Sequence, residues 1–449
     1  MRNKSVFIIL ILALLALFAS IYPNKSTAIP YWSRIYKTEC HTCHFHFPKL
    51  TPLGEAFRKQ GFRFPDGPYE ERVSNQSRHR NVFESLPLSV DLTSISELER
   101  GEGISFNDFG GDFLIMSGGA LNRKVSFYGS IDFFVDGGSD DIDVIIPRMS
   151  IMYRPFGNSL LNIKVGRFEP RVMGVSNFRT ITPAFGILNR TVGDNEWNLE
   201  PSQQGIELSG ILGKGRLAYS AGVVEGRGNQ QNDFKDFYGR LEYKFGGMRL
   251  DGIQDGEQFT GLISNSWKDN SLTVGIFGYH GEADVERIEN EFVGIEGAGR
   301  FSRTVRAAHT PGLGGDDDGG VRFASSKRDR FYKTGADINW FTGKWNILGG
   351  YALQHHSSPI SNDADQSITE HQAFVEIDYA MSHWFTPTIR YEVFLQENRG
   401  NMLQRIQPQL NFMPFGPAVH IFISEDFVKD VGDSGFSATT GIAGIDIVF

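Results

Sequence analysis

From about residue 86 to the C-terminus, apolar and polar residues alternate with a period of two, in segments cut by Gly, Asp, Asn and Pro. A period of two sends successive side chains to opposite faces of a strand, and the interrupting residues are those that turns demand. The clearest segment is 237–245, where Phe237, Gly239, Leu241, Tyr243 and Phe245 fall on one face and Tyr238, Arg240, Glu242 and Lys244 on the other. Segment 385–394 repeats the logic, with Phe385, Ile389, Tyr391 and Val393 opposed to Thr386, Thr388, Arg390 and Glu392. In 373–379, Glu376 and Asp378 oppose Val375 and Ile377. Further strands are predicted to start near Leu88, Val125, Val144, Leu161, Ile206, Leu217, Leu272, Thr334, Trp345, Ile406 and Val419.

Strands with one apolar and one charged face suit lipid outside and a wet lumen inside. The pattern therefore predicts an all-β protein, an outer-membrane β-barrel of about 16 antiparallel strands, with 14 and 18 the neighbouring counts. At the chain's end Ile445, Ile447 and Phe449 alternate with Gly444, Asp446 and Val448, an ending that resembles the last strand of bacterial outer-membrane proteins. A soluble sandwich or propeller is the alternative, but no repeat of fixed blade length is evident.

Composition agrees. The 449 residues include 51 glycines and 37 phenylalanines, while the mean hydropathy is only −0.26, as expected where hydrophobicity alternates. A net charge of −9 removes the electrostatic case for nucleic acid. The glycines of 294–299 lack the spacing and βαβ setting of a nucleotide loop.

Arg2 and Lys4 precede an apolar run from Val6 to Ile21, and Ser26, Thr27 and Ala28 follow. This reads as a signal peptide over 1–28, with a retained anchor as the alternative. No later apolar run is long enough for a transmembrane helix.

The only two cysteines stand in Cys40-His41-Thr42-Cys43-His44. Two thiols at this spacing can each form a thioether to a haem, and the histidine after the second is placed to ligate its iron. Cys40 and Cys43 then anchor one covalent c-type haem and His44 is its metal ligand. A redox disulfide is the alternative reading; zinc would need two more thiolate or imidazole ligands, and the chain has no other cysteine.

Residues 29–67 form a segment too small for an ordinary cytochrome core, and 68–85 read as a polar linker into a barrel over 86–449. Within the segment, Thr51-Pro52 predicts a helix start and Gly61 its stop. Leu53, Ala56 and Phe57 share a face suited to a porphyrin or to the barrel wall, while Arg58, Lys59 and Arg63 are candidates for the propionates. No methionine lies between Met1 and Met116, so a methionine sixth ligand would come from the barrel, with Met116, Met149 and Met152 as candidates. His46 is too near His44 to reach the opposite face easily, His41 lies in the attachment loop, and His79 is better separated.

From Cys40 through Phe62 the chain resembles the N-terminal haem segment of fused monohaem cytochrome–porins. In that family the C-x-x-C-H is followed by a P-x-L-N-x-F-G-x-x-F-K-x-x-G-like run and then an outer-membrane barrel. Pro48, Leu50, Gly54, Phe57 and Gly61 match; Thr51, Leu53 and Arg58 replace the usual Asn, Phe and Lys. The resemblance implies electron transfer across the outer membrane, between an extracellular redox donor or acceptor and a periplasmic electron carrier. The best-known members oxidise ferrous iron; service to another donor, or an outward flow of electrons to an extracellular acceptor, is the alternative the resemblance leaves open. One haem does not span a bilayer core of about 30 Å, so it is expected within the lumen, with the segment plugging the barrel from the periplasmic side.

Segments 169–204 and 282–327 are predicted as extracellular loops or lumen inserts. The second holds His309 and the acidic run 314–320, read as solvated rather than metal-binding; His355 and His356 are ambiguous in the same way. The competing function is a diffusion porin with a structural haem plug, and a lumen lined by Arg240, Glu242, Lys244, Glu376, Asp378, Arg390 and Glu392 suits either.

Overall fold

The structure is a computed structural model that describes residues 31–36, 38–64, 88–99, 109–135, 142–226, 234–253, 269–285, 327–360, 366–382, 384–397, 400–414, 416, 418–433 and 435–448. The signal peptide, the linker, His79, His309, the acidic run 314–320 and Phe449 lie outside them.

Sixteen strands close one barrel. They are β3 (Leu88–Glu99), β4 (Phe109–Ala120), β5 (Val125–Val135), β6 (Ile142–Tyr153), β7 (Asn162–Phe168) and β8 (Gln203–Leu212). Then come β9 (Leu217–Val224), β10 (Asp236–Gly246), β11 (Ser271–Val285), β12 (Lys327–Thr342) and β13 (Trp345–His356). The last five are β14 (Ile368–Tyr379), β15 (Phe385–Gln396), β16 (Asn401–Phe412), β17 (Val419–Lys429) and β18 (Ser437–Val448). Each pairs antiparallel with its chain neighbour, and β18 pairs with β3, so no strand edge is left open to lipid.

The alternation lands as the sequence predicts. On β10, Leu241 is 50% exposed while Glu242 beside it is 5% exposed. On β15, Ile389 faces outward between Thr388 and Arg390, both buried. Every barrel strand from β3 to β16 presents at least one exposed large apolar side chain. Tyr153, Tyr243, Phe245, Trp340, Trp345 and Trp384, all exposed, gather at one rim as an aromatic girdle. β4 escapes the sequence reading because Gly111 and Gly119 thin out its lipid face while Gly110 and Gly118 thin out its inner face.

An even strand number returns the free ends of β3 and β18 to one side, the periplasmic one in such barrels. Gly343 and Lys344 make one of the short turns there. The opposite side carries the long connection 169–202, which folds into the lumen rather than over it. It contains a 3-10 turn (Asn177–Arg179) and a one-turn helix (Gly186–Asn189). Phe185, Ile187, Leu188, Trp197 and Leu199 of the insert pack on Tyr238, Tyr279, Phe331 and Phe374 of the wall. This half of the lumen is therefore an apolar core, not the wet channel the strand pattern suggests.

Around that core the wall's charged groups grip the insert. Glu376 accepts from the Thr182 hydroxyl at 2.8 Å and Glu392 from the Gly186 amide at 2.8 Å. Arg190 meets Glu370 at 2.9 Å, and Asp337 accepts from the Gly174 amide at 3.2 Å. His356, fully buried, bonds Asp329, and His355 bonds Thr369 at 2.9 Å, so both are structural.

Leu241→Arg places a cation in the lipid-facing belt and is expected to lower the stability of the refolded barrel by about 2–4 kcal/mol near the bilayer midplane. Leu241→Thr should cost far less; denaturant titration in lipid vesicles measures both.

Candidate functional site

The segment before the barrel docks in the periplasmic mouth. It has helices α1 (Tyr31–Tyr36), α2 (Cys40–Cys43) and α3 (Pro52–Lys59), with a small hairpin of β1 (His44–His46) and β2 (Lys49–Leu50). α3 begins and ends where the sequence predicts. Thr51 caps it by accepting from the Gly54 amide at 3.1 Å, Pro52 takes the first turn, and Gly61 turns the chain away at φ +70°. The Thr51 hydroxyl also donates to the Thr42 carbonyl at 2.9 Å, tying α3 to the cysteine turn. Gly54 permits the contact: a Cβ there would sit 2.0 Å from the Cys43 carbonyl oxygen.

Cations of the segment meet the wall's carboxylates. Lys49 reaches Glu376 at 3.1 Å and also Asp378, and Lys59 pairs with Glu242. Gln60 donates to the Asp251 carbonyl at 2.8 Å, and Arg34 to the Leu88 carbonyl at 2.6 Å. Trp32, Phe62 and Tyr128 of β5 form a mutually stacked cluster, with centroids 5.0 Å apart for Trp32 and Phe62, 6.3 Å for Trp32 and Tyr128, and 5.4 Å for Phe62 and Tyr128. Sequence reading missed this clasp, since aromatics so far apart in the chain share no local signal.

Cys40, Cys43 and His44 come together on one cavity of ≈ 260 Å³ beside the inner faces of β3–β8. Trp32, Tyr36, Leu50, Phe57, Leu114 and Phe127 give it apolar surface. The thiols form no disulfide with each other. Burial pushes the Cys43 thiol up to about 12, with Cys40 adding to the rise. Burial also raises Cys40, opposed in part by Ser33, whose Oγ lies 4.0 Å from its Sγ.

A c-type haem fits these residues. The His44 Nδ1 lies 3.2 Å from the Pro48 carbonyl, which can only accept, so Nδ1 carries the proton and the lone pair is on Nε2. Arg58 and Arg148 line the same cavity, and the Nε of each is buried without a hydrogen bond among the described residues, as suits groups awaiting an anion such as a propionate. Among the described residues no group of three or more His, Cys, Asp or Glu side chains is placed to hold a bare metal ion.

Charge around the cavity is divided. Asp91, Asp112 and Asp132 line it from β3–β5, while Arg58, Arg148, Lys164, Arg171 and Arg179 line it elsewhere. Burial works against the ionised Glu55, but Arg58 at 2.9 Å and Arg179 at 3.9 Å outweigh it and hold the carboxyl at about 2. Burial and the neighbouring Arg171 pull the Lys59 ammonium down to about 8, against the attraction of Glu242.

Other expectations need correction. Of the predicted face of α3 only Phe57 lines the cavity, while Leu53 clusters with Met248 of the turn after β10, on the barrel side that is the alternative for this face. Arg63 points away and donates to the Val125 carbonyl at 2.8 Å. Met149 is 62% exposed on the lipid face, whereas Met116 and Met152 line the cavity. His46, set aside in the sequence reading as too near His44, bonds Thr386 of β15.

No model of a known protein family and no curated protein matches the chain. Solved structures do match in fold. The trimer form of OmpT, an outer-membrane protein of Vibrio cholerae, is similar over 81% of this chain and 98% of that one, at 12% identity and a TM-score of 0.50. An anion-selective porin from Comamonas acidovorans is similar over 81% and 98%, at 11% identity and a TM-score of 0.49. OprB of Pseudomonas putida is similar over 85% and 97%, at 9% identity and a TM-score of 0.47. At these identities the likeness is one of fold. The closed 16-stranded barrel, with its apolar belt and aromatic girdle, is a bacterial outer-membrane protein in contact with outer-membrane lipid.

In the haem-free protein, Cys43 is expected to resist alkylation at pH 8, where a thiol of pKa about 12 is about one ten-thousandth ionised, against about a quarter for an ordinary thiol of pKa about 8.5. Its rate should climb about tenfold per pH unit while the fold holds, and jump on unfolding; mass-spectrometric mapping of the label reads both. Separately, Lys49→Met removes the cation shared by Glu376 and Asp378, leaving Glu376 to Thr182 and Arg390 and Asp378 to Thr388, and should weaken plug docking by about 1.5–3 kcal/mol, seen as proteolysis in the segment before β3 with the barrel intact.

Proposed function

We propose that the chain is an outer-membrane c-type cytochrome–porin fusion, carrying single electrons between an extracellular donor, with ferrous iron the best candidate, and a periplasmic carrier. The observation that carries this reading is the convergence of Cys40, Cys43 and His44 on one aromatic-walled cavity inside the barrel mouth. A c-type haem supplies reversible one-electron chemistry when bound.

The chain's own residues do the rest. Cys40 and Cys43 fix the group covalently, and His44, oriented by Pro48, presents its imidazole nitrogen. Arg58 and Arg148 neutralise its acidic edge, and the aromatic wall limits water. Docking through Lys49 and Lys59 holds the site in the periplasmic mouth, within reach of a carrier on that side. The divided lumen leaves the cavity along β3–β8 as the side from which a small donor approaches. The same geometry also serves an outward conduit, in which the electrons run the other way.

A diffusion porin with a structural plug is the second reading, favoured by the likeness in fold to outer-membrane porins. The insert 169–202, gripped across the lumen from β10 to β16, speaks against a wide channel.

The test is an anaerobic visible spectrum of the purified protein before and after ferrous iron, with dithionite as the full-reduction control. Electron transfer from iron predicts a c-type spectrum that ferrous iron reduces, and its loss in Cys40→Ala/Cys43→Ala. Reduction by dithionite alone points to a low-potential conduit or a structural haem, and no haem spectrum returns the cysteines to redox thiols. Single-channel conductance separates the porin reading: a plugged barrel passes little current, and removal of the plug segment should raise it.

A further inference from the structure

His44 presents one nitrogen to the cavity, and an iron held by it has a second axial position on the opposite face. Resting on the haem reading above, we propose that this position is filled by a thioether of the barrel wall, Met116 on β4.

The elimination runs through the cavity lining. Apart from His44, the neutral soft or imidazole donors that line it among the described residues are Met116 and Met152. His46 is committed to Thr386 on the far side of the plug. Lys59 and Lys164 hold Glu242 and Glu207. Met149 lies on the opposite parity of β6 and faces lipid.

Between the two wall methionines, packing decides. Met152 is the surface on which α3 ends: a Cβ at Gly61 would lie 3.0 Å from its Sδ and 2.5 Å from the Oγ of Ser126, its register partner on β5. That thioether is occupied in holding the plug. Met116 sits in register between Ser89 of β3 and Ser130 of β5, two short, buried side chains that leave lateral room. An unbranched side chain with three rotatable bonds reaches into such a space with little strain.

A wall ligand has two effects. Thioether ligation favours the reduced iron and raises the potential relative to two imidazoles, as a weakly reducing donor requires. It also bolts the plug to the barrel, because the covalent anchors are on one and the second ligand is on the other.

The test uses full-length protein with its haem, in detergent: wild type, Met116→Leu, Met152→Leu, Met149→Leu and Met116→His. The weak far-red sulfur-to-ferric-iron charge-transfer band and a potentiometric titration are recorded for each. The band is expected in wild type and in the Met152 and Met149 variants. It should vanish in Met116→Leu with a fall in potential, and Met116→His should give a spectrum with two imidazole ligands, which also establishes that a variant at this position folds. Survival of the band in Met116→Leu, its absence from wild type, or its loss in Met152→Leu instead would overturn the assignment. Wild-type protein with no covalent haem is a distinct result that overturns the haem reading and this assignment together.

Discussion

The structure turns on carboxylates that point into a closed, lipid-embedded barrel. Ionised groups in such a place are tolerated when paired and are very costly when stranded. Glu242, Asp337, Glu370, Glu376, Asp378 and Glu392 are all buried; wall cations Arg240, Arg390 and Arg405 pair some of them, and further partners come from two segments that are not barrel strands. The plug brings Lys49 and Lys59, and the insert brings Arg171, Arg190, the Thr182 hydroxyl and the amides of Gly174 and Gly186. Pairing fixes both segments to defined rows of the wall, and the cavity is what remains between them.

The split lumen follows. Where the insert's apolar residues meet Tyr238, Tyr279, Phe331 and Phe374, water has no partners and the interior is packed like a soluble core. Along β3–β8 the wall offers Ser, Asp and Thr, and the space stays open. A segment as short as 31–64 does not enclose this cavity by itself; inner faces of β3–β8 line the rest of it. The barrel supplies the rest of the enclosure, and the stacking of Trp32 and Phe62 on Tyr128 joins the two parts.

Much of this was legible in the sequence, for local reasons. β10 and β15 could be read residue by residue because lipid and lumen impose opposite chemistry on alternate positions. The Thr51–Pro52 start of α3 and the Cys40–His44 spacing are likewise short-range signals. β4 was missed because its glycines give neither face a strong character. The dry half-lumen was missed because Glu376 and Glu392 look like channel-lining charges until Thr182 and Gly186, 194 and 206 positions away, are seen to meet them. Parity sorted Met149 from Met152 only once the strand's facing was known.

The closeness of α3 to the cysteine turn bears on biogenesis. With Gly54 against the Cys43 carbonyl and Thr51 bonded to Thr42, Cys43 lies beneath α3 and the plug lies within the wall. That thiol is partly buried and opens on the cavity inside the barrel mouth, a space that admits a small molecule and not a folded enzyme. Any enzyme-catalysed chemistry at the cysteines therefore belongs to the translocation intermediate, when the segment is still an extended chain in the periplasm, and membrane insertion must follow it. The order of events in the cell is set by a glycine that lets two backbones touch.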